Sequence, residues 1–209
     1  DRASFAVFAE SVIPISEDVE IKAALRYENL ENDSSIDPKL AVRWQMSEQW
    51  IMRASASTAF REASLSQQNA SAATINSITD YNPDGSAKSP AFVGVIATGN
   101  PQLKPEQSEN YNIGLIFNPT KNLDFKVDYW HVDYSDLITV ENAQGKIADD
   151  PNGEDIIRSD AGLLSSVKVD YFNSSSVKVK GIDFESIWKI SEQFDLNFSA
   201  SHFLSYKLT

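Results

Sequence analysis

The sequence predicts an all-β chain, an antiparallel up-and-down transmembrane β-barrel of which about eight strands are present, and three observations carry this. Apolar and polar side chains alternate with period two through successive segments of about ten residues. The connections between these segments alternate between short and long, which separates turns on one rim from loops on the other. Aromatic residues collect beside the short connections, where an interfacial girdle belongs. No apolar run approaches the roughly 20 residues of a membrane-spanning helix. A transmembrane strand needs only about 9 to 11 residues, half of them facing a polar interior, so the mildly hydrophilic mean hydropathy is compatible with a barrel.

The alternation places strands at about 3–13, 19–28, 39–45, 50–60, 108–117, 123–138, 177–190 and 194–206. In the second, Val19, Ile21, Ala23, Leu25 and Tyr27 oppose Glu20, Lys22, Arg26 and Glu28. In the last, Phe194, Leu196, Phe198, Ala200 and Leu204 oppose Asp195, Asn197, Ser199, Ser201 and Ser205, while His202 falls on the apolar face. Short connections occupy 14–18, 46–49, 118–122 and 191–193; longer ones occupy 29–37, 61–107 and 139–176. Trp44, Trp50, Trp188, Phe117 and Phe194 lie close to the short ones, and Tyr27, Phe60 and Tyr206 near the opposite strand ends.

The richest segment is 100–115. Pro101 and Pro105 lack the backbone donor a sheet needs and push their predecessors toward extended conformations, so pairing begins only after the second proline. Beyond it Tyr111, Ile113, Leu115 and Phe117 point one way, and Asn110, Asn112 and Gly114 the other. Gly114 leaves room beside a bulky neighbour, and Gly181 permits a bulge or a close backbone approach.

Four segments, in order, resemble the TonB-dependent outer-membrane receptor family. The first is 53–65, ending in Phe60 and Arg61 and leading to Ser64 and Leu65, with Ala63 where the family usually has proline. The second contains Asn100, Pro101, Leu103, Lys104, Pro105 and Glu106, followed by Asn110, Tyr111 and Gly114. The third is 122–138, with Val127-Asp128-Tyr129-Trp130 and Asp133-Tyr134, and the fourth is 179–185 around Gly181. All of these motif residues are expected to be barrel architecture rather than ligand contacts.

The resemblance implies a complete barrel of about 22 strands, the size of plugged outer-membrane transporters. Residues 1–209 are then part of a single transmembrane barrel domain. The chain opens in strand-like sequence without a signal peptide, and both a plug domain and a closing strand with a terminal aromatic residue are expected outside it. The implied function is TonB-dependent uptake of a scarce nutrient across the outer membrane of a Gram-negative bacterium. A ferric siderophore is the first expectation, with cobalamin or an oligosaccharide as others. The implied partners are an extracellular small-molecule or metal-chelate ligand, outer-membrane lipid, and the TonB complex acting through the plug. The alternatives are a passive porin-like or adhesive barrel, or a soluble all-β glycan-binding module or enzyme whose apolar faces pack together as a sandwich.

Composition narrows the chemistry. Thirty acidic residues against 18 basic ones, for a formal charge of -12, disfavour nucleic acid and anionic lipid surfaces. Without cysteine there is no disulfide, thiolate metal site or thiol nucleophile. His131, Asp133 and Ser135 share a strand face, but same-strand neighbours seldom converge on one reacting atom, so they read as a polar wall. Asp149, Asp150, Asn152, Glu154 and Asp155 surround Gly153 with oxygen ligands, yet their spacing misses the helix-loop-helix calcium pattern and fits a solvated acidic loop. No catalytic residue, cofactor or metal site is assigned. The long connections 61–107 and 139–176 are either disordered rim loops or parts of an extracellular ligand vestibule, with Tyr81 and Phe92 as its larger contact residues.

Overall fold

The computed structural model describes residues 3–30, 33–82, 84–174 and 176–208. In chain order the strands are β1 (Ser4–Pro14), β2 (Val19–Leu30), β3 (Ser34–Gln45), β4 (Trp50–Arg61), β5 (Ala72–Ile78), β6 (Ala91–Thr98), β7 (Glu106–Thr120), β8 (Leu123–Ser135), β9 (Ile138–Val140), β10 (Ile156–Arg158), β11 (Leu164–Asn173), β12 (Val177–Ser191) and β13 (Phe194–Leu208). Two short helices, α1 (Leu65–Asn69) and α2 (Ala143–Asp149), accompany them. The chain forms two compact units, one from 1–61, 107–135 and 175–209, the other from 62–106 and 136–174.

The first unit is an eight-stranded sheet in the order β1-β2-β3-β4-β7-β8-β12-β13. Its eight members are the eight segments read from the alternation. Antiparallel ladders run from β1 to β4 and from β7 through β8 and β12 to β13. Strand ends differ for identifiable reasons. β3 starts at Ser34 and runs through Pro38, which is tolerated because pairing with β4 starts only at Lys39 opposite Ser57. The expected long connection 29–37 is therefore mostly strand, Leu30 and Asp33 exchange backbone hydrogen bonds, and positions 31 and 32 lie outside the described residues. The strand expected at 123–138 stops at Ser135, because Asp136 takes a left-handed φ of 53°.

Register sorts the side chains onto two faces. Ile21, Val42, Ala54, Ile113, Tyr129, Ile182 and Phe198 fall on the face that carries the apolar alternates, whereas Lys22, Arg43, Arg53, Asp128, Asp183 and Glu185 fall on the other. The apolar face is not covered: Leu40 and Ile113 are each 57% exposed and Phe198 58%. A soluble sandwich buries such residues against a second sheet, whereas here they stand exposed. An aromatic row crosses the same face. Trp50 stacks on Phe117 at 4.2 Å, and the contacts continue from Phe117 to Phe125, Phe125 to Phe184 and Phe184 to Phe198 at 6.3, 6.3 and 5.9 Å. Trp44 and Trp188, also within a few residues of short turns, are exposed.

Both motif glycines in this sheet are there for space. A Cβ on Gly114 would collide with the Asp128 carboxylate and the Arg53 side chain, which form an ion pair of 2.6 Å across β7 from β8 to β4. Gly181 sits at a register shift, and a Cβ there would meet Trp130 Cζ2 at 2.5 Å and the His202 carbonyl oxygen at 2.8 Å. The indole can rotate but the carbonyl belongs to the neighbouring strand. Gly181→Ala in the intact receptor is expected to destabilise the barrel by about 1–3 kcal/mol, the usual cost of overpacking. The check is the fraction of receptor that keeps folded mobility in unheated detergent gels as temperature rises, with Gly145→Ala, whose Cβ meets nothing closer than 3.7 Å and needs no left-handed backbone, as comparison.

Candidate functional site

The two long connections fold together into the second unit, an ordered sheet in the order β10-β11-β6-β5 with β9 attached to β11. The disordered-loop alternative is thereby corrected. β5 and β6 pair antiparallel, β6 and β11 parallel, so the sheet joins segments from both connections. Ile78, Val93, Val95, Ile156, Val167 and Val169 from the strands bury against Ala143 and Ile147 of α2. Ile147 and Val167 are inaccessible, so this is a true core, small but closed. Asn142 caps α2, and the Gln144 amide both donates to and accepts from the Thr79 backbone at 3.0 and 2.8 Å.

The motif residues hold the base of this unit. Ser64 caps α1 in a reciprocal capping box with Gln67, Ala63 is fully buried, and Leu65 begins the helix while remaining exposed. Asn100 N–H donates to the Gln67 carbonyl at 2.8 Å, and the Asn100 amide donates to the Tyr171 carbonyl at 2.9 Å and accepts from Gln102 N–H at 2.9 Å. Leu103 is buried between the two exposed positions Pro101 and Lys104, and Pro105 is half-buried. Asn173 accepts from Lys104 N–H at 2.8 Å and donates to the carbonyls of Lys104 and Asp136 at 2.9 and 2.7 Å, while Glu106 accepts from Ile138 N–H at 2.9 Å. Phe60 and Arg61 end β4, and Asn110, Tyr111, Gly114 and Gly181 lie in the eight-stranded sheet. The motif residues are thus divided between the two units.

The electrostatic centre is Asp80, 6% exposed. Its carboxylate accepts two bonds from Arg158 at 2.8 and 2.7 Å and one from Lys88 at 2.7 Å. The Arg158 guanidinium holds its pKa far below the usual carboxylate range against the opposing effect of burial, with Lys88 and Tyr81 N–H adding to the depression. Arg158 is shifted upward, chiefly by Asp80. A second cluster joins Lys146 to Glu141 and Asp155 at 2.6 and 2.7 Å. Burial disfavours the Lys146 charge, but the two carboxylates outweigh it and raise its pKa.

Beside Asp80 opens a cavity of about 510 Å3 lined by Tyr81, Asn82, Lys88, Pro151, Asn152 and Arg158. Tyr81 also packs on the core. Phe92 is 82% exposed and alternates with the core residue Val93, so it projects from the opposite face with Ile75, 77% exposed. The two expected contact residues are not brought together. Asp80, Lys88 and Arg158 carry no signal in the sequence, since no local spacing marks a bond formed across 78 positions. Of the other groups weighed, Asp133 pairs with Lys178 at 2.6 Å and His131 lies edge-on to Tyr111, as wall residues do. In the acidic loop Asp155 is engaged by Lys146 and Asp150 accepts from Asn152 N–H; among the described residues no three metal-type side chains converge.

A family model described as TonB dependent receptor-like, beta-barrel matches residues 1–207. The chain belongs to this family. The family is one of transporters rather than enzymes, whose members sit in the outer membrane of Gram-negative bacteria. Among solved structures, the siderophore receptor PirA from Pseudomonas aeruginosa is similar with a TM-score of 0.74 at 17% identity, covering 98% of this chain and 34% of that one. A mutant of the ferric enterobactin receptor PfeA from the same species gives 0.71 at 17%, covering 96% and 26%. The hemophore receptor HasR of Serratia marcescens, in complex with its hemophore HasA and heme, gives 0.68 at 14%, covering 98% and 34%. These likenesses establish the fold, and the chain spans about a quarter to a third of each of those receptors. No curated protein matches.

Asp80→Ala would leave two cations facing each other without their carboxylate. In the intact receptor the second unit is expected to lose about 1–3 kcal/mol, the cost of unsatisfied, partly buried partners. Hydrogen exchange of β5 and β10 amides measures it. Because the folded pKa is depressed, the Asp80 contribution is complete above the unfolded value near pH 4 and disappears as pH falls further through the folded value. Protection of β5 and β10 in the unaltered receptor should fall more steeply below about pH 4 than in Asp80→Asn.

Proposed function

We propose that residues 1–209 form part of a single barrel domain of an outer-membrane receptor, the eight-stranded sheet as wall and the second unit as its extracellular ligand-contacting loops. The whole receptor would import a scarce nutrient, a ferric siderophore first among the candidates, with TonB supplying inner-membrane energy through a plug. The observation that carries this reading is the eight-stranded sheet with one uncovered apolar face, an aromatic row along it, and a charged opposite face. Family membership supports uptake as the activity; the siderophore receptors among the similar structures support the ligand class.

The second unit suits ligand contact because its own core orders it, so its exposed residues are positioned before any ligand arrives. Phe92 offers a flat apolar surface, and the cavity at Tyr81 offers amides and cations. Apart from any ligand, Phe92→Ala should leave folding unchanged. With ligand it should weaken binding about tenfold or more if Phe92 is a central contact. Replacing 66–98 in the full receptor by a short linker should abolish binding of its ferric siderophore while the barrel still assembles. Equilibrium binding across a panel of ferric siderophores checks both, and unchanged binding by the 66–98 replacement would refute the vestibule assignment.

A further inference from the structure

The connection between α2 and β10 holds the chain's single Asn-Gly pair, Asn152 and Gly153. An asparagine in front of glycine is the arrangement in which a protein can modify itself, because a following residue without Cβ lets its backbone nitrogen reach the side-chain carbonyl carbon. Several other asparagines are closed to this route. Asn82, Asn100 and Asn118 precede prolines, which have no N–H to give up. Asn173 has its amide held between the carbonyls of Lys104 and Asp136, and the side chain of Asn142 caps α2. Asp84, which also precedes a glycine, has its carboxylate engaged by the N–H and the hydroxyl of Ser86 at 2.9 and 2.6 Å.

The fold leaves Asn152 open to reaction. Pro151 and Asn152 are the central residues of a turn that Gly153 N–H closes on the Asp150 carbonyl at 3.2 Å, the long end of the range for such bonds. Asn152 is exposed, its backbone N–H goes to the Asp150 carboxylate at 3.1 Å, and among the described residues its carboxamide has no partner. The same turn braces the second unit. The Pro151 carbonyl accepts from Arg158 at 2.9 Å, which ties it to the Asp80 centre, and the Gly153 carbonyl accepts from Ile156 N–H at 2.9 Å at the start of β10. Asn152 itself lines the cavity that Lys88 and Arg158 also line.

We infer that Asn152 is a self-modification site. The Gly153 nitrogen adds to the Asn152 side-chain carbonyl carbon, and its proton leaves with the side-chain nitrogen as ammonia, giving a cyclic imide. Water then opens either carbonyl of the ring. One product is aspartate at 152. The other is isoaspartate, in which the main chain runs through the former side-chain carbonyl, is longer by a methylene, and leaves the former backbone carbonyl as the free carboxylate. Both products set a carboxylate in the cavity where a neutral amide stood. Isoaspartate also lengthens the turn and so draws the Pro151 carbonyl away from Arg158. The second unit thereby changes in charge and firmness with age.

The test ages the full-length receptor, folded in detergent, in mildly alkaline buffer made with heavy-oxygen water, and reads the peptides of residues 1–209 by mass spectrometry. The peptide holding Asn152 is expected to gain heavy oxygen in two separable forms, aspartate and isoaspartate, several times faster than any other asparagine peptide and faster than at neutral pH. Asn152→Gln should abolish the change at that position. Gly153→Ala, whose Cβ would stand 3.3 Å from Asp150 Oδ2, should slow it severalfold. Aged receptor should exchange β10 amides faster than Asn152→Gln receptor aged alike, and equal exchange overturns the coupling to β10. A folded receptor that keeps its Asn152 amide while the urea-denatured receptor loses it overturns the inference, since the turn would then protect the site. Conversion to aspartate alone overturns the imide route, as does a Gly153→Ala receptor that converts at the unaltered rate.

Discussion

Backbone pairing along the eight-stranded sheet is the constraint on which the rest depends. In hydrocarbon an unpaired N–H or C=O costs several kcal/mol, so a wall strand must be paired along its length and cannot trade a ladder bond for water. The same ladder fixes the faces. A slip of β3 by one residue against β2 would turn Arg43 toward the apolar side and Val42 toward the charged one. Register, lipid compatibility and the charge pattern of the opposite face are consequently one property, and one interruption falls where a side chain could not fit, at Gly181 beside Trp130.

That coupling explains why the wall is legible in the sequence. Period-two alternation is imposed on every residue of a strand with lipid on one side and water on the other, so Phe194 to Leu208 and Val19 to Leu30 announce themselves without knowledge of their neighbours. Legibility fails at ends, where local rules compete. The expected connection 29–37 is mostly strand, with Pro38 inside β3, and nothing in residues 123–138 shows in advance that Asp136 adopts a left-handed backbone.

The second unit reads as loop because its strands obey a different rule. β5 is Ala-Ala-Thr-Ile-Asn-Ser-Ile, with one large apolar side chain exposed and one buried, and its partners come from beyond position 90. The parallel pairing of β6 to β11 joins residues about 72 apart, a relation no local window contains. The candidate site suffers likewise. Tyr81 and Phe92 stand out in the sequence by size alone, and their opposite placement follows from one fact of β6, that Val93 faces the core. Asp80, Lys88 and Arg158 are ordinary as letters, and become a centre only when β5 and β10 lie in one sheet.

The motif residues from Asn100 to Glu106 show how local chemistry and long-range order meet. Asn100, Lys104 and Glu106 each bond to a segment they do not adjoin: Asn100 to Gln67 and Tyr171, Lys104 to Asn173, Glu106 to Ile138. The amide of Asn173 spans two carbonyls, from Lys104 and Asp136, that belong to the two connections separately. Because Asn presents donor and acceptor together, a single side chain can satisfy backbone groups that no regular ladder reaches. Aspartate at 173 would keep the acceptor for Lys104 N–H but place a carboxylate against two carbonyl oxygens, so the identity of the residue follows from the geometry it closes. The ordering of two long excursions into one core is therefore anchored by a few amides at their base, and the exposed surface above is free to vary without loosening it.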